Sequence, residues 1–121
     1  MLFGACGSNG ADSAAFCNHL DSSQDDLVFH VEMTPAEILA TTRRAQEIYT
    51  EAARLAPDRL VPLVDAGIGS WQRLEFRFTE AFEAGLDPVA AFDLIQSEWE
   101  SLVDIPANER VVAFVAAECG G

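Results

Sequence analysis

Proline falls along this chain where helices would start or stop, and beside most of the prolines stands a residue able to cap one. Thr34-Pro35-Ala36-Glu37 is the clearest case: Thr34 can accept from the third helical amide, Pro35 suits the first helical position, and Glu37 completes a capping box. Beyond it, Ile38, Thr42, Ala45, Tyr49, Ala52 and Ala56 share one stripe, with Ile48 and Leu55 at its shoulder, until Pro57 stops the helix. A further helical region is expected over residues 59–84, with Leu60, Val64, Trp71, Leu74, Phe78 and Phe82 facing inward. Gly67 and Gly69 interrupt it, each costing about 1 kcal/mol relative to Ala, so a kink or break is expected there. Gly85 suits a C-terminal cap, and Asp87-Pro88 restarts a helix that would carry Val89, Phe92, Ile95, Trp99, Leu102 and Val103 inward. Ile105-Pro106 breaks the chain again before a last helix with Val111, Phe114, Val115 and Glu118 on one side.

Upstream, Asp12 precedes a short helix over residues 13–20, in which Phe16 and Leu20 lie one turn apart. Residues 27–33 alternate as a strand would, but the chain offers them no partner strand, so they are expected to lie extended on the core. Residues 1–10 are small, Gly-rich and aperiodic, and read as a flexible leader. Short connections make successive helices antiparallel neighbours. The expected fold is therefore all-α: a small antiparallel bundle of four to five helices forming a single domain over residues 11–121.

Charge narrows the possible partners. Seven basic residues, all arginine, stand against 20 Asp and Glu, giving a formal net charge of −13 over 121 residues. Such a chain repels phosphate backbones and anionic headgroups, which excludes nucleic acid and basic-patch membrane docking. A hydrophobic fraction of 50% is too high for a disordered acidic tail.

Little in the sequence resembles catalytic machinery. Cys17, His19 and His30-x-Glu32 could be drawn together around a metal, but the spacing matches no metal motif, and no metal site is expected. Gly67-Ile68-Gly69-Ser70 hints at a phosphate loop, yet a chain without lysine has no phosphate-binding lysine to follow it. Glu47/Glu51 and Glu98/Glu100 read as solvated helix faces. No serine stands in a strand–turn–helix elbow, and no enzyme is expected. Apolar residues off the inner stripes are more informative: Leu39, Phe76, Leu94 and Val112 either meet a second neighbour or form an exposed patch. Phe76, the costliest of these to leave in water, is the candidate partner surface.

Three cysteines complete the inventory. A bridge between Cys17 and Cys119, 102 positions apart, would tie the first helix to the last and contribute about 4.7 kcal/mol in the chain-entropy model. Alternatively, both are buried free thiols acting as small hydrophobes. Cys6 stands in Leu2-Phe3-Gly4-Ala5-Cys6-Gly7-Ser8, which resembles the lipobox of bacterial lipoproteins, with Phe3 where that motif usually has Leu. Met1 lies only five residues before Cys6, too few for a signal peptide's charged and apolar regions, so either a signal peptide is missing from this chain or Cys6 is incidental.

Taken together, the lipobox-like Cys6, Ala14-Ala15-Phe16-Cys17 opening an Ala-rich acidic domain, Ala56-Pro57 at mid-chain and Val112-Ala113-Phe114-Val115 to Cys119-Gly120 resemble small secreted lipoproteins of actinobacteria. That resemblance implies an exported all-α domain, a Cys17–Cys119 disulfide joining its terminal helices, and lipidation at Cys6. Locally, residues 71–102 are also similar to the C-terminal helices of extracellular solute-binding proteins, a shared hairpin rather than a shared activity. The function expected is a non-catalytic envelope lipoprotein domain, presenting a helical surface to a protein or cell-wall partner and touching membrane only through Cys6. The alternative is a carrier holding an apolar ligand in the bundle core. Haem is one such ligand, with His19, His30 or Tyr49 as candidates to ligate its iron. The first reading requires no cofactor.

Overall fold

The computed structural model describes residues 2–30 and 32–119, with side chains from Ser13 onward. Six helices make up the bundle: α1 (Leu2–Ser23), α2 (Pro35–Leu55), α3 (Val61–Glu83), α4 (Pro88–Ser97), α5 (Trp99–Leu102) and α6 (Ile105–Phe114). No strand occurs among the described residues. The leader expected over residues 1–10, and Cys6 within it, fall outside the residues whose side chains are described.

Helices α2 and α3 form the antiparallel spine, and the core divides between its two ends. At one end Ile38 of α2 meets Leu74, Phe78 and Ala81 of α3, joined by Ala91 and Ile95 of α4 and Leu102 of α5. At the other, Ala52 of α2 and Val64 of α3 pack with Phe16 of α1 and Val111 and Phe114 of α6. Leu39 and Leu94, off the main stripes, pack against the first cluster, whereas Val112 is exposed.

Local caps set the helix ends. The Thr34 hydroxyl accepts from the Glu37 amide at 3.2 Å, and the Thr34 amide donates to the Glu37 carboxylate at 2.8 Å. Two bare donors of the first turn of α2 are thereby satisfied at once. At the end of α3, Gly85 adopts φ +91°, which costs glycine no Cβ clash. Its amide donates to Phe82 and that of Leu86 to Ala81, while the Leu86 side chain packs on the first cluster. Asp87 and Asp104 cap α4 and α6 by accepting from Ala90 and Ala107.

Two expectations are corrected. Gly67 and Gly69, where a kink or break is expected, do not break the helix: α3 runs continuously from Val61 to Glu83. The reason for Gly67 lies in another helix: the Tyr49 ring of α2 lies on the α3 backbone, where a Cβ on Gly67 would stand 2.5 Å from the ring. Gly67 is a seat for Tyr49 rather than a breaker. Conversely, the helix expected to run from Pro88 through Val103 breaks at Glu98, where φ −109° and ψ 11° leave the helical region. The Glu98 carboxylate is gripped by Arg77 of α3, with Nε at 2.8 Å and a second guanidinium nitrogen at 2.9 Å. Ile95 and Leu102 still point inward, but Trp99 is 43% exposed and Val89 lies on the surface.

The last described turn returns to α1. Beyond α6 a π-helical turn over Val115–Cys119 brings Cys119 to Cys17, and the two form a disulfide with Cα atoms 5.3 Å apart, well within the usual span. The bridge joins the N- and C-terminal helical segments beside Phe16 and Phe114, whose rings meet edge-on at 5.8 Å.

Candidate functional site

An aromatic floor is assembled from three separate elements. After a 3-10 turn over Gln24–Leu27 the chain runs extended, and Phe29 turns onto the first core cluster. Its ring centroid lies 5.5 Å from Phe78 of α3 and 5.5 Å from Phe92 of α4, which are themselves 5.6 Å apart and edge-to-face. Three rings in mutual contact at these separations hold one another in place. Trp71 approaches Phe29 from behind at 5.8 Å and is half-buried.

Above this floor opens a cleft of about 900 Å³, walled by Ile95 and Ile105, with Gln96, Ser97, Glu98, Trp99, Glu100 and Ser101 around its mouth. The break at Glu98 creates that mouth. It ends α4 and turns Trp99 out of the core to the edge of the opening. The Arg77 guanidinium on Glu98 holds its carboxyl below the usual carboxylate range, so the rim keeps its charge at neutral pH. From the far side, the Arg73 Nε donates to the Leu102 carbonyl at 2.8 Å and the Asp104 amide donates to Ser70 Oγ at 3.0 Å. Through these bonds the α5–α6 corner is fastened to α3, and the cleft stands on a fixed frame.

The residues singled out from the sequence are dispersed. Phe76 lies on the opposite face of α3 from Phe78, 66% exposed, beside a depression of about 430 Å³ that also touches Arg73, Arg77 and Leu102. His19 sets its Nε2 2.8 Å from the Ile48 carbonyl, and His30 is exposed. Burial pushes the Tyr49 phenol up from its ordinary value of 10.0 as it packs against Gly67 and Trp71. None of these three lines the aromatic cleft, so the structure brings no candidate iron ligand to it. Cys17 is taken by its disulfide, and among the described residues no three His, Cys, Asp or Glu side chains gather as a metal-ligand set.

From sequence, Trp71, Phe78, Phe82, Phe92 and Trp99 read first as core, with a ligand cavity among them as the alternative; the opening at Phe29, Phe78 and Phe92 is closer to that alternative. Trp99 is expected inside because it follows Ile95 at helical spacing, but α4 ends at Glu98, whose carboxylate Arg77 holds, and Trp99 lies 43% exposed beyond that break. The one local signal is Glu98-Trp99-Glu100 itself, an aromatic ring flanked by carboxylates after ten helical residues.

No family model, curated protein or solved structure matches this chain.

Proposed function

We propose that this chain is a non-catalytic binding domain that works outside the cytoplasm and takes an apolar or amphiphilic small molecule in the aromatic cleft. One observation carries the reading: a cleft of about 900 Å³ with a floor of Phe29, Phe78 and Phe92 and a half-exposed Trp99 at its mouth. That volume falls within the range of small-molecule sites, and an apolar floor with a few polar rim groups is their usual chemistry. Export is supported by the Cys17–Cys119 disulfide, since such bonds persist in oxidising compartments. None of the described helices is long and apolar enough to cross a membrane, and attachment would come through acylation of Cys6.

A neutral naphthylamine dye tests the site, because its fluorescence rises on leaving water. We expect saturable one-to-one binding to the wild-type chain, weakened by Gln96→Trp, which fills the mouth from an exposed position. Absence of saturable binding by the wild-type chain would refute the reading. A second reading, a protein-docking face centred on Phe76, draws on that ring's 66% exposure beside Arg73 and Arg77. A dye site unaffected by Gln96→Trp and lost in Phe76→Asp would favour it.

A further inference from the structure

The polar rim of the aromatic cleft carries charge of one sign, beside the neutral Gln96 amide and the Trp99 indole N–H, which can donate. Among the described residues, the charged ones lining it are Glu98 and Glu100, both carboxylates. Glu98 is held by Arg77, while Glu100 is exposed and makes no ion pair among the described residues. The two rim hydroxyls have already spent their protons: Ser97 Oγ donates to the Leu94 carbonyl at 2.7 Å, and Ser101 Oγ donates to the Glu98 carbonyl at 2.8 Å. What remains of each hydroxyl toward a ligand is its acceptor lone pairs. Among the described residues no arginine or histidine lines the cleft.

The surroundings point the same way. Arg43, Arg44, Arg54 and Arg77 are paired with carboxylates, Arg73 is bonded to the Leu102 carbonyl on the far side, Arg59 lies over the Phe114 ring in the other core cluster, and Arg110 does not line the cleft. A ligand carboxylate or phosphate entering this mouth would find no basic side chain to pair with. It would instead meet Glu100 within a chain of net charge −13. A cation meets the reverse: a carboxylate, hydroxyl acceptors and the part-exposed ring of Trp99, whose face attracts positive charge.

Resting on the binding reading above, we infer that the ligand class is an amphiphilic cation. Its apolar body lies on Phe29, Phe78 and Phe92, and its N–H-bearing head, an ammonium or guanidinium, sits between Glu100, Trp99 and the acceptor oxygens of Ser97 and Ser101. The apolar floor provides affinity, and the rim selects the sign of the head group. Both features are required, because acceptors without the floor would be an ordinary wet surface.

Three matched ten-carbon probes separate floor from rim: decylammonium, decanol and decanoate, each titrated calorimetrically below its aggregation concentration at pH 7. Decylammonium is expected to bind about tenfold more tightly than decanol, the ratio one charge-assisted contact supplies, with decanoate weakest. Glu100→Gln should remove roughly threefold or more of the decylammonium affinity and leave decanol unchanged. Glu109→Gln, the same charge change on exposed α6, should leave both affinities in place. Decanoate binding as tightly as decylammonium would overturn the inference. So would an equal loss in Glu109→Gln and Glu100→Gln, which would assign the attraction to net charge alone. If decanol binds as well as decylammonium, the cleft is an apolar site and only the cationic assignment fails. If none of the three binds, the binding reading itself fails.

Discussion

Reduction of the Cys17–Cys119 bridge is the perturbation whose size follows most directly from the fold. The bond closes a loop with a sequence separation of 102 and fastens the end of the chain to α1. In the chain-entropy model a loop of that size restricts the unfolded chain by about 4.7 kcal/mol. A chain of this length has an unfolding entropy near its midpoint of roughly 0.25 kcal/mol per kelvin, so full loss of that contribution lowers Tm by about 18 °C. The native contacts around the bridge survive reduction in part, since Phe16 and Phe114 remain buried against α2 and α3. The fold should therefore persist with a lower midpoint rather than dissolve. Differential scanning calorimetry of oxidised, reduced and Cys17→Ser/Cys119→Ser protein measures this. Alkylation of unfolded, unacylated protein followed by intact mass should count one thiol before reduction, that of Cys6, and three after. Three thiols before reduction, in protein made in an oxidising compartment, would refute the staple. A midpoint unmoved by reduction would show that the closed loop contributes nothing to stability.

Other outcomes follow from single residues. Trp71→Ala should destabilise by about 2–4 kcal/mol because its ring packs against Phe29 and Tyr49, whereas Trp99→Ala, outside both core clusters, should cost under about 1 kcal/mol in chemical denaturation. Gly67→Ala gains about 1 kcal/mol of helix propensity but drives a methyl into the Tyr49 ring, so a net loss of about 1–2 kcal/mol is expected, relieved when Tyr49 is replaced by Leu. Glu51, Glu75 and Glu98 have carboxyls lowered by bonds to Arg54, to Gln46 and Arg43, and to Arg77 respectively. The unfolded chain therefore binds protons first, and stability should fall as pH drops below their ordinary value of 4.5. Tyr49 acts in the opposite range: its raised phenol contributes stability that is complete below pH 10.0 and lost as pH climbs through the folded value, a fall that Tyr49→Phe should blunt. Thermal midpoints across the pH range check both limbs.

Which parts of this molecule were legible in the sequence follows from the range of the interactions. The starts of α2 and α4 could be read because Thr34, Pro35 and Glu37, or Asp87 and Pro88, cap within three residues of themselves. The turn at Gly85 is local in the same way. The inner stripe of α2 was legible because burial follows the helical period, and Ile38, Thr42, Ala45 and Ala52 are all buried. The role of Gly67 was not, because the side chain that packs on it is a tyrosine 18 positions earlier on another helix. Nor was the break at Glu98, held by an arginine of α3 at a separation of 21. The aromatic floor draws Phe29, Phe78 and Phe92 from an extended segment and two helices, and no periodicity within one element announces it. Stripe reading sorts residues into inside and outside. The cleft is a third environment, in which the rings of Phe29 and Phe92 stay part-exposed over the buried Phe78.

The central claim is that this opening, rather than the face around Phe76, is where the molecule meets its ligand. Amide chemical-shift mapping on isotopically labelled protein, titrated with decylammonium, tests it most directly. Saturating shifts are expected at Phe29, Phe92 and residues 96–101, with the amides around Phe76 and Val112 unmoved. Shifts centred on Phe76, or spread evenly over the acidic surface, would contradict it.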